Sequence, residues 1–343
     1  MEKKLLKKDR LSGIVKKMAD DKPVYAPVKD EDNVLFKILE PGMEPLISFA
    51  NTKDAPKKVF FPHSELLMKY TRSPKGMVFA AMPAGEKEFV LFGVRPCDAR
   101  SFVLLDMLFD QEKWKDPYYI DKRKKGTVIS MACVHPPYAA CFCTSVDGSP
   151  TSTQGSDIQL TDLGETYLVE FLTPKGEALA PYFAEATAAD ASAEAKKQAI
   201  AEQSAAEIQR KIPGRAIKPI LDVSFEHPFW DTIAGKCIAC GTCTYLCPTC
   251  HCFDISDEMK GDDGVRIRNW DSCMFPLFTL ETSGHNPRTS QKQRWRQRLM
   301  HKFKYYVDNF DAIACVGCGR CVMACPVNID IRKLVDDISK LQV

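Results

Sequence analysis

The chain has 343 residues, a formal net charge of +2 and fifteen cysteines. That length supports two domains with a buried core. The near-neutral charge gives no general bias toward nucleic acid or acidic lipid, and no apolar run approaches the length of a membrane span.

The opening "MEKKLLKKDRLSGIVKKMAD" has no continuous apolar stretch and no small-residue cleavage site. It reads as an amphipathic helix with Leu11, Ile14, Val15 and Met18 on one face, not as a signal peptide. The next two hundred residues alternate strand and helix signals. "NVLFKILE" (33–40) predicts a strand closed by Pro41-Gly42. "EFVLFGV" (88–94) predicts a buried strand. It runs into "RPCDARSFVLLDMLF", where Asp98 is expected to cap a helix carrying Val103, Leu104, Met107 and Leu108. "GTVISMA" (126–132) predicts another strand, and "SDIQLTDLGETYLVEFL" a hairpin turning near Leu163-Gly164. From about Pro181 to Lys211 the chain is rich in Ala, Glu and Lys, which predicts a partly solvated helix stopped by Pro213-Gly214. A domain boundary is placed near Phe225.

The last third shows few strand signals and holds eleven of the fifteen cysteines. "PRTSQKQRWRQRLMHKFKYYVDNF" reads as one helix with Trp295, Leu299, Phe303 and Tyr306 or Val307 on one face. The expected fold is therefore an α/β domain over 1–225 and an all-α, helical ferredoxin domain over 226–343.

Cysteines bunched in this way, in a chain without a leader, suit metal ligation in a reducing, anaerobic cytoplasm better than disulfides. Cys237, Cys240, Cys243 and Cys247, followed by Pro248, match C-x2-C-x2-C-x3-C-P. Cys315, Cys318, Cys321 and Cys325, followed by Pro326, match it again. In this pattern three thiolates wrap one [4Fe–4S] cluster and the fourth ligates the other. The expected sets are thus crossed: Cys237, Cys240, Cys243 and Cys325 for one, and Cys315, Cys318, Cys321 and Cys247 for the second. Gly241 and Gly319 let the backbone approach the sulfides. Zinc is the alternative, but a three-cysteine run with a crossed fourth is poor geometry for a tetrahedral site. Cys250, Cys252 and Cys273 are left over. They read as thiols beside a cluster that tune its potential, with an additional metal site as the other reading.

Cys97, Cys133, Cys141 and Cys143 form a second set. Cys97 and Cys133 follow strands 88–94 and 126–132. If those strands are parallel neighbours, both cysteines emerge at the carboxyl edge of the sheet, where such folds place ligands. The loop "VHPPYAACFCTSVDG" returns Cys141 and Cys143 to that edge. A third [4Fe–4S] cluster is one reading; buried core thiols are the other.

The stretches "VYAPV", "VLFGVRPCDARSFVLLD", "ACVHPPYAACFCTSVDG", "CIACGTCTYLCPTCHCFD", "WDSCM" and "CVGCGRCVMACPVNID" span nearly the whole chain. In them the chain resembles the iron–sulfur subunit shared by anaerobic sulfite reductases and cytoplasmic sulfhydrogenases, where it is the beta subunit. A related subunit occurs in flavin oxidoreductases linked to heterodisulfide reductase. The resemblance implies a non-catalytic component that passes electrons between two partners. One is a flavin-containing NAD(P)H-binding subunit; the other is a hydrogenase, sulfite reductase or heterodisulfide reductase. It also implies that Cys97, Cys133, Cys141 and Cys143 belong to a shared pattern. An iron–sulfur sensor or scaffold is the alternative. No P-loop, G-x-G-x-x-G or Ser/His/Asp arrangement appears, so no catalytic residue and no nucleotide site is expected in this chain. Seven basic residues lie between Arg288 and Lys304 with no acidic one. They read as a solvated helix face that also offsets cluster charge or docks an acidic partner, not as a nucleic-acid site.

Overall fold

In the computed structural model, which describes residues 2–82 and 87–342, two sheets organise the chain. The larger has eight strands in the order β10-β1-β9-β8-β7-β6-β2-β3. These are β1 (Lys3–Lys7), β2 (Val24–Asp30), β3 (Asn33–Ile38), β6 (Phe89–Val94), β7 (Gly126–Met131), β8 (Ile158–Asp162), β9 (Thr166–Phe171) and β10 (Thr187–Ala188). Its centre is parallel: β2 pairs with β6, β6 with β7, and β7 with β8. The outer pairings are antiparallel. Every residue of β6, "FVLFGV", is buried, as a parallel strand covered on both faces requires. The amphipathic helix Leu11–Asp21 buries Leu11, Ile14, Val15 and Met18 against one face of this sheet. The expected hairpin is β8–β9. The Ala-rich stretch forms a shorter helix than its composition suggests, Ala191–Ala206, capped by the Asp190 side chain.

The last third is not all-α. The spacer between the two cysteine runs folds into the hairpin β11 (Phe253–Lys260) and β12 (Asp263–Trp270). This hairpin joins β4 (Ser64–Ser73) and β5 (Gly76–Ala81) in a four-stranded sheet ordered β11-β12-β4-β5. Charge hides the strand period here. "FDISDEMK" is almost entirely exposed, so alternation by hydropathy is weak. Cross-strand pairing stabilises it instead. Asp257 stands opposite Arg266, and their side chains form an ion pair at 2.7 Å of the kind that supports strand pairs. Two residues on, Arg268, 3% exposed, reaches Glu65 on β4 and Asp116. The sheet therefore ties the spacer to the first third of the chain.

The basic helix is continuous from Gln291 to Phe310, with a π-helical turn at His301–Tyr305. Such a turn shifts the phase of the inward face, and here Lys302 and Phe303 are both buried.

Candidate metal centres

Both cysteine runs are built by the same local turn. Gly241 and Gly319 adopt left-handed φ values of 73° and 76° and open the short helices Thr242–Tyr245 and Arg320–Met323. Glycine takes this conformation at no steric cost. One cavity is lined by Cys237, Cys240, Cys243 and Cys325. Another is lined by Cys247, Cys315, Cys318 and Cys321. The second thus draws three cysteines from one run and a fourth from the other, while the first draws three from its own run and both Cys321 and Cys325 from the other. Cys321 and Arg298 line both.

The walls of the first cavity suit a sulfide-bearing cluster. Trp295 and Arg298 line it, and Trp295 Nε1 and Arg298 Nε are buried without an acceptor among the described residues. Buried donors of this kind call for a partner. Other donors already meet cysteine sulfurs: Gln291 Nε2 reaches Cys237 Sγ at 3.1 Å and the Ile329 N–H reaches Cys325 Sγ at 3.2 Å. Beside the second cavity, Lys302 Nζ donates to Cys247 Sγ (3.3 Å), Thr249 Oγ1 (3.1 Å) and the Ala314 carbonyl (2.8 Å). Burial works against the Lys302 charge, but the Cys247 and Cys250 sulfurs outweigh it and push its pKa up.

The basic run is accordingly not a solvated face. Arg294, Arg296, Arg298 and Lys302 are all buried. The expected solvated face is thus corrected to a buried one, while the expected offset of cluster charge agrees with Arg298 and Lys302 at cysteine sulfurs, one turn apart beside the apolar positions 295, 299 and 303.

The third set gathers at one edge of the large sheet. β6 and β7 are parallel neighbours, and Cys97 and Cys133 follow their carboxyl ends. Cys97, Cys133, Cys141 and Cys143 line one cavity, together with Gly317 and Cys318 of the second run. Burial pushes the Cys133 thiol up to about 11 and the Cys143 thiol up to about 12. Thiols in such surroundings become thiolates when a metal takes the charge.

Two glycines let the halves close on each other. A Cβ on Gly317 would lie 2.4 Å from the Cys143 backbone nitrogen, and one on Gly319 would lie 2.8 Å from Ala140. The contact is sealed by the Phe142 N–H donating to the Gly317 carbonyl at 2.9 Å. Asp98 does not cap its helix. Arg95 holds the cap position of Pro96–Phe109, while the Asp98 carboxylate pairs with Arg320 at 2.6 Å. Arg100 donates to the Val146 and Cys315 carbonyls, which stitches the same interface. No sequence pattern marked Arg320 or Lys57, because their partners lie more than 190 residues away.

Cys250 is buried, and Cys252 and Cys273 are half-buried. Arg298 Nη1 approaches Cys250 Sγ at 3.6 Å. Among the described residues no three His, Cys, Asp or Glu side chains converge on one point as a single metal ion would need. The twelve cysteines of the three other sets line cavities, as an iron–sulfur cluster requires of its thiolates. No helix among the described residues is long and apolar enough to cross a membrane.

Residues 236–329 match the family model of a 4Fe-4S dicluster domain. The chain is 31% identical over 320 residues to the sulfhydrogenase 2 subunit beta of Pyrococcus furiosus, a match that covers 92% of each chain. No solved structure matches it.

Proposed function

Because the chain belongs to the sulfhydrogenase beta-subunit family, we propose that it is the iron–sulfur relay of a hydrogenase-type complex, carrying electrons between a catalytic partner and a flavin-containing NAD(P)H-binding subunit. The observation that carries this reading is the adjacency of the three cysteine-lined cavities. Cys318 lines both the N-terminal cavity and the second one, and Cys321 lines both the second and the first. Three redox centres held so close form a row suited to one-electron transfer.

In this reading the N-terminal centre is held by Cys97, Cys133, Cys141 and Cys143. The middle one is held by Cys247, Cys315, Cys318 and Cys321, and the last by Cys237, Cys240, Cys243 and Cys325. A [4Fe–4S] cluster, once bound, supplies the one-electron couple. The chain does the rest. Gln291, Ile329 and Lys302 donate hydrogen bonds to cysteine sulfurs, which raises the potential of the centre they touch. The buried Arg298 and Lys302 balance thiolate charge. Phe142, Trp295 and Phe303, all buried, exclude water. A reducing cytoplasm is the compartment in which these thiols would stay free for iron.

Anaerobically purified protein should carry at least about twelve irons, four for each of three clusters. Its visible absorbance should bleach reversibly and within turnover time on addition of NAD(P)H with the flavin partner. About eight irons would remove the N-terminal centre. Clusters that stay oxidised under these conditions would point to a scaffold instead.

A further inference from the structure

The two edges of the four-stranded sheet are finished differently. At one edge β11, "FDISDEMK", carries Asp254, Asp257, Glu258 and Lys260, charges of the kind that keep an edge from pairing with another chain. At the opposite edge β5 reads "GMVFAA", with no charge and no proline. All six of its residues are exposed, with Met77 at 47%, Val78 at 66% and Phe79 at 62%. Its pairing with β4 runs in unbroken register from Met68 opposite Ala81 to Ser73 opposite Gly76, with no bulge to twist the edge away.

The turn Pro74-Lys75 fixes which backbone groups are free. Ser73 and Gly76 flank it and stand opposite each other, so in the alternating pattern of a tight antiparallel hairpin they exchange both bonds. Two residues on, Val78 does the same with Thr71. Met77, Phe79 and Ala81 therefore turn their N–H and C=O groups outward, and among the described residues no strand receives them. Their side chains share one face of the sheet with Tyr70 and Met259. Phe79 stands opposite Tyr70, and Tyr70 opposite Gly264, with its ring where a Cβ on Gly264 would stand. Gly264 in turn stands opposite Met259, which is 46% exposed. An apolar row thus crosses all the strands and ends at an open edge.

Charge decides what fits there. Between Leu66 and Met82 the only charged residues are Lys69, Arg72 and Lys75, all exposed. None of the three pairs with a carboxylate among the described residues. Glu65, at the foot of β4, is taken by Lys122 and Arg268. A second copy of this chain, adding its own β5, would set two basic hairpins side by side with no acidic group between them, and like charges across strands are destabilising.

We propose that β5 is a docking edge for a strand of another subunit, one that extends the sheet, sets apolar side chains beside Met77 and Phe79, and carries acidic groups toward Lys69, Arg72 and Lys75. In strand addition of this kind the backbone pairing supplies affinity and the alternate side chains supply specificity. The proposal rests on the reading that this chain works in a multi-subunit complex.

The test uses the assembled complex, purified anaerobically through a tag on this chain, beside the isolated full-length chain. Hydrogen exchange, carbodiimide cross-linking of lysine to carboxylate, and iron content are measured. The expected result is slowed exchange at Met77, Phe79 and Ala81 in the complex alone, with a cross-link from Lys69 or Lys75 to an Asp or Glu on a strand of another subunit. Phe79→Pro should lose that subunit while Phe79→Ala keeps part of it, since only the first removes an outward N–H, and proline is tolerated at a sheet edge. Iron equal to wild type shows that the variants have folded. Should Phe79→Pro fail to fold, Lys69→Glu/Arg72→Glu/Lys75→Glu provides the second reading: it should release the subunit at a salt concentration that wild type withstands. Equal exchange at β5 in the complex and the isolated chain overturns the proposal while leaving the relay standing. So does a cross-link from Lys75 to a second copy of this chain. Equal loss of the subunit in Phe79→Pro and Phe79→Ala overturns strand addition in favour of side-chain packing alone. A chain that purifies with no other subunit overturns the complex reading and this proposal together.

Discussion

Arg320 and Asp98 form an ion pair buried between the two cysteine-bearing halves, with oxygens of the carboxylate 2.6 and 2.8 Å from two guanidinium nitrogens. Asp98 directly follows Cys97, and Arg320 directly precedes Cys321. The guanidinium also donates to Asn51 Oδ1 and to the Thr52 carbonyl. The pair therefore fixes the distance between the N-terminal cavity and the second one. Replacing Arg320 by Met leaves a buried carboxylate unpaired, which costs on the order of 3–5 kcal/mol. The expected outcome is a large fall in Tm by calorimetry, partly recovered in the double variant Arg320→Met/Asp98→Asn. A fall no larger than that of a surface substitution would show that the pair does not clamp the halves.

The Gly317 contact gives a steric counterpart. At φ +65° and 2.4 Å from the Cys143 backbone nitrogen, this position has no room for a methyl group. Gly317→Ala should separate the second run from the Cys141–Cys143 loop and lower the iron bound at the N-terminal set more than at the other two. Iron analysis combined with EPR spin counting measures this.

Lys302 sets a third expectation. Its ammonium lies 3.3 Å from Cys247 Sγ and stabilises added negative charge on any centre that thiolate serves. Lys302→Met should lower the reduction potential of that centre, as followed by EPR-monitored redox titration. The centre with Cys237, Cys240 and Cys243 should shift less.

Asp330 caps the last helix, Ile331–Ile338, by accepting from the Arg332 N–H at 2.8 Å. Ile329 and Ile331 line the first cavity, so this cap bears on its shape. Asp330→Ala should cost about 1 kcal/mol, and Asp330→Asn should recover most of it. Burial opposes ionisation of Asp330, but the hydrogen bonds and charge of Arg332 lower its pKa below the usual Asp value. A depressed carboxylate stabilises the fold above the unfolded value near 4 and loses that contribution as pH falls through the folded one. The difference between wild type and Asp330→Asn should thus hold from neutral pH down to about 4 and shrink below it. Denaturant melts across that range check it.

Much of this was legible in the residues. The strands 89–94 and 126–131 announced themselves as short continuous apolar runs covered on both faces, the helix after residue 11 by the period of its one buried face, and the Leu163-Gly164 turn by its place between two strand signals. The hairpin 253–270 did not. Its outer strand is exposed, its stability comes from pairs such as Asp257–Arg266, and its docking on β4 spans some 200 residues of sequence. The burial of the cations was not legible for a related reason. Lys57, Arg298 and Lys302 look solvated until the sulfurs and carbonyls that receive them are brought in from elsewhere in the chain. Asp98 was read as a helix cap because the cap is local and its true partner, Arg320, is not.

The crossed supply of cysteines to the two C-terminal cavities is the centre of the account, and Cys325→Ser examines it directly. Spectroscopy of the reduced variant, with iron counted per chain, should show loss or conversion of the centre built on Cys237, Cys240 and Cys243. The centre built on Cys315, Cys318 and Cys321 should stay intact. The reverse pattern, damage confined to the centre of Cys325's own run, would contradict the crossed arrangement and with it the electron path proposed through this protein.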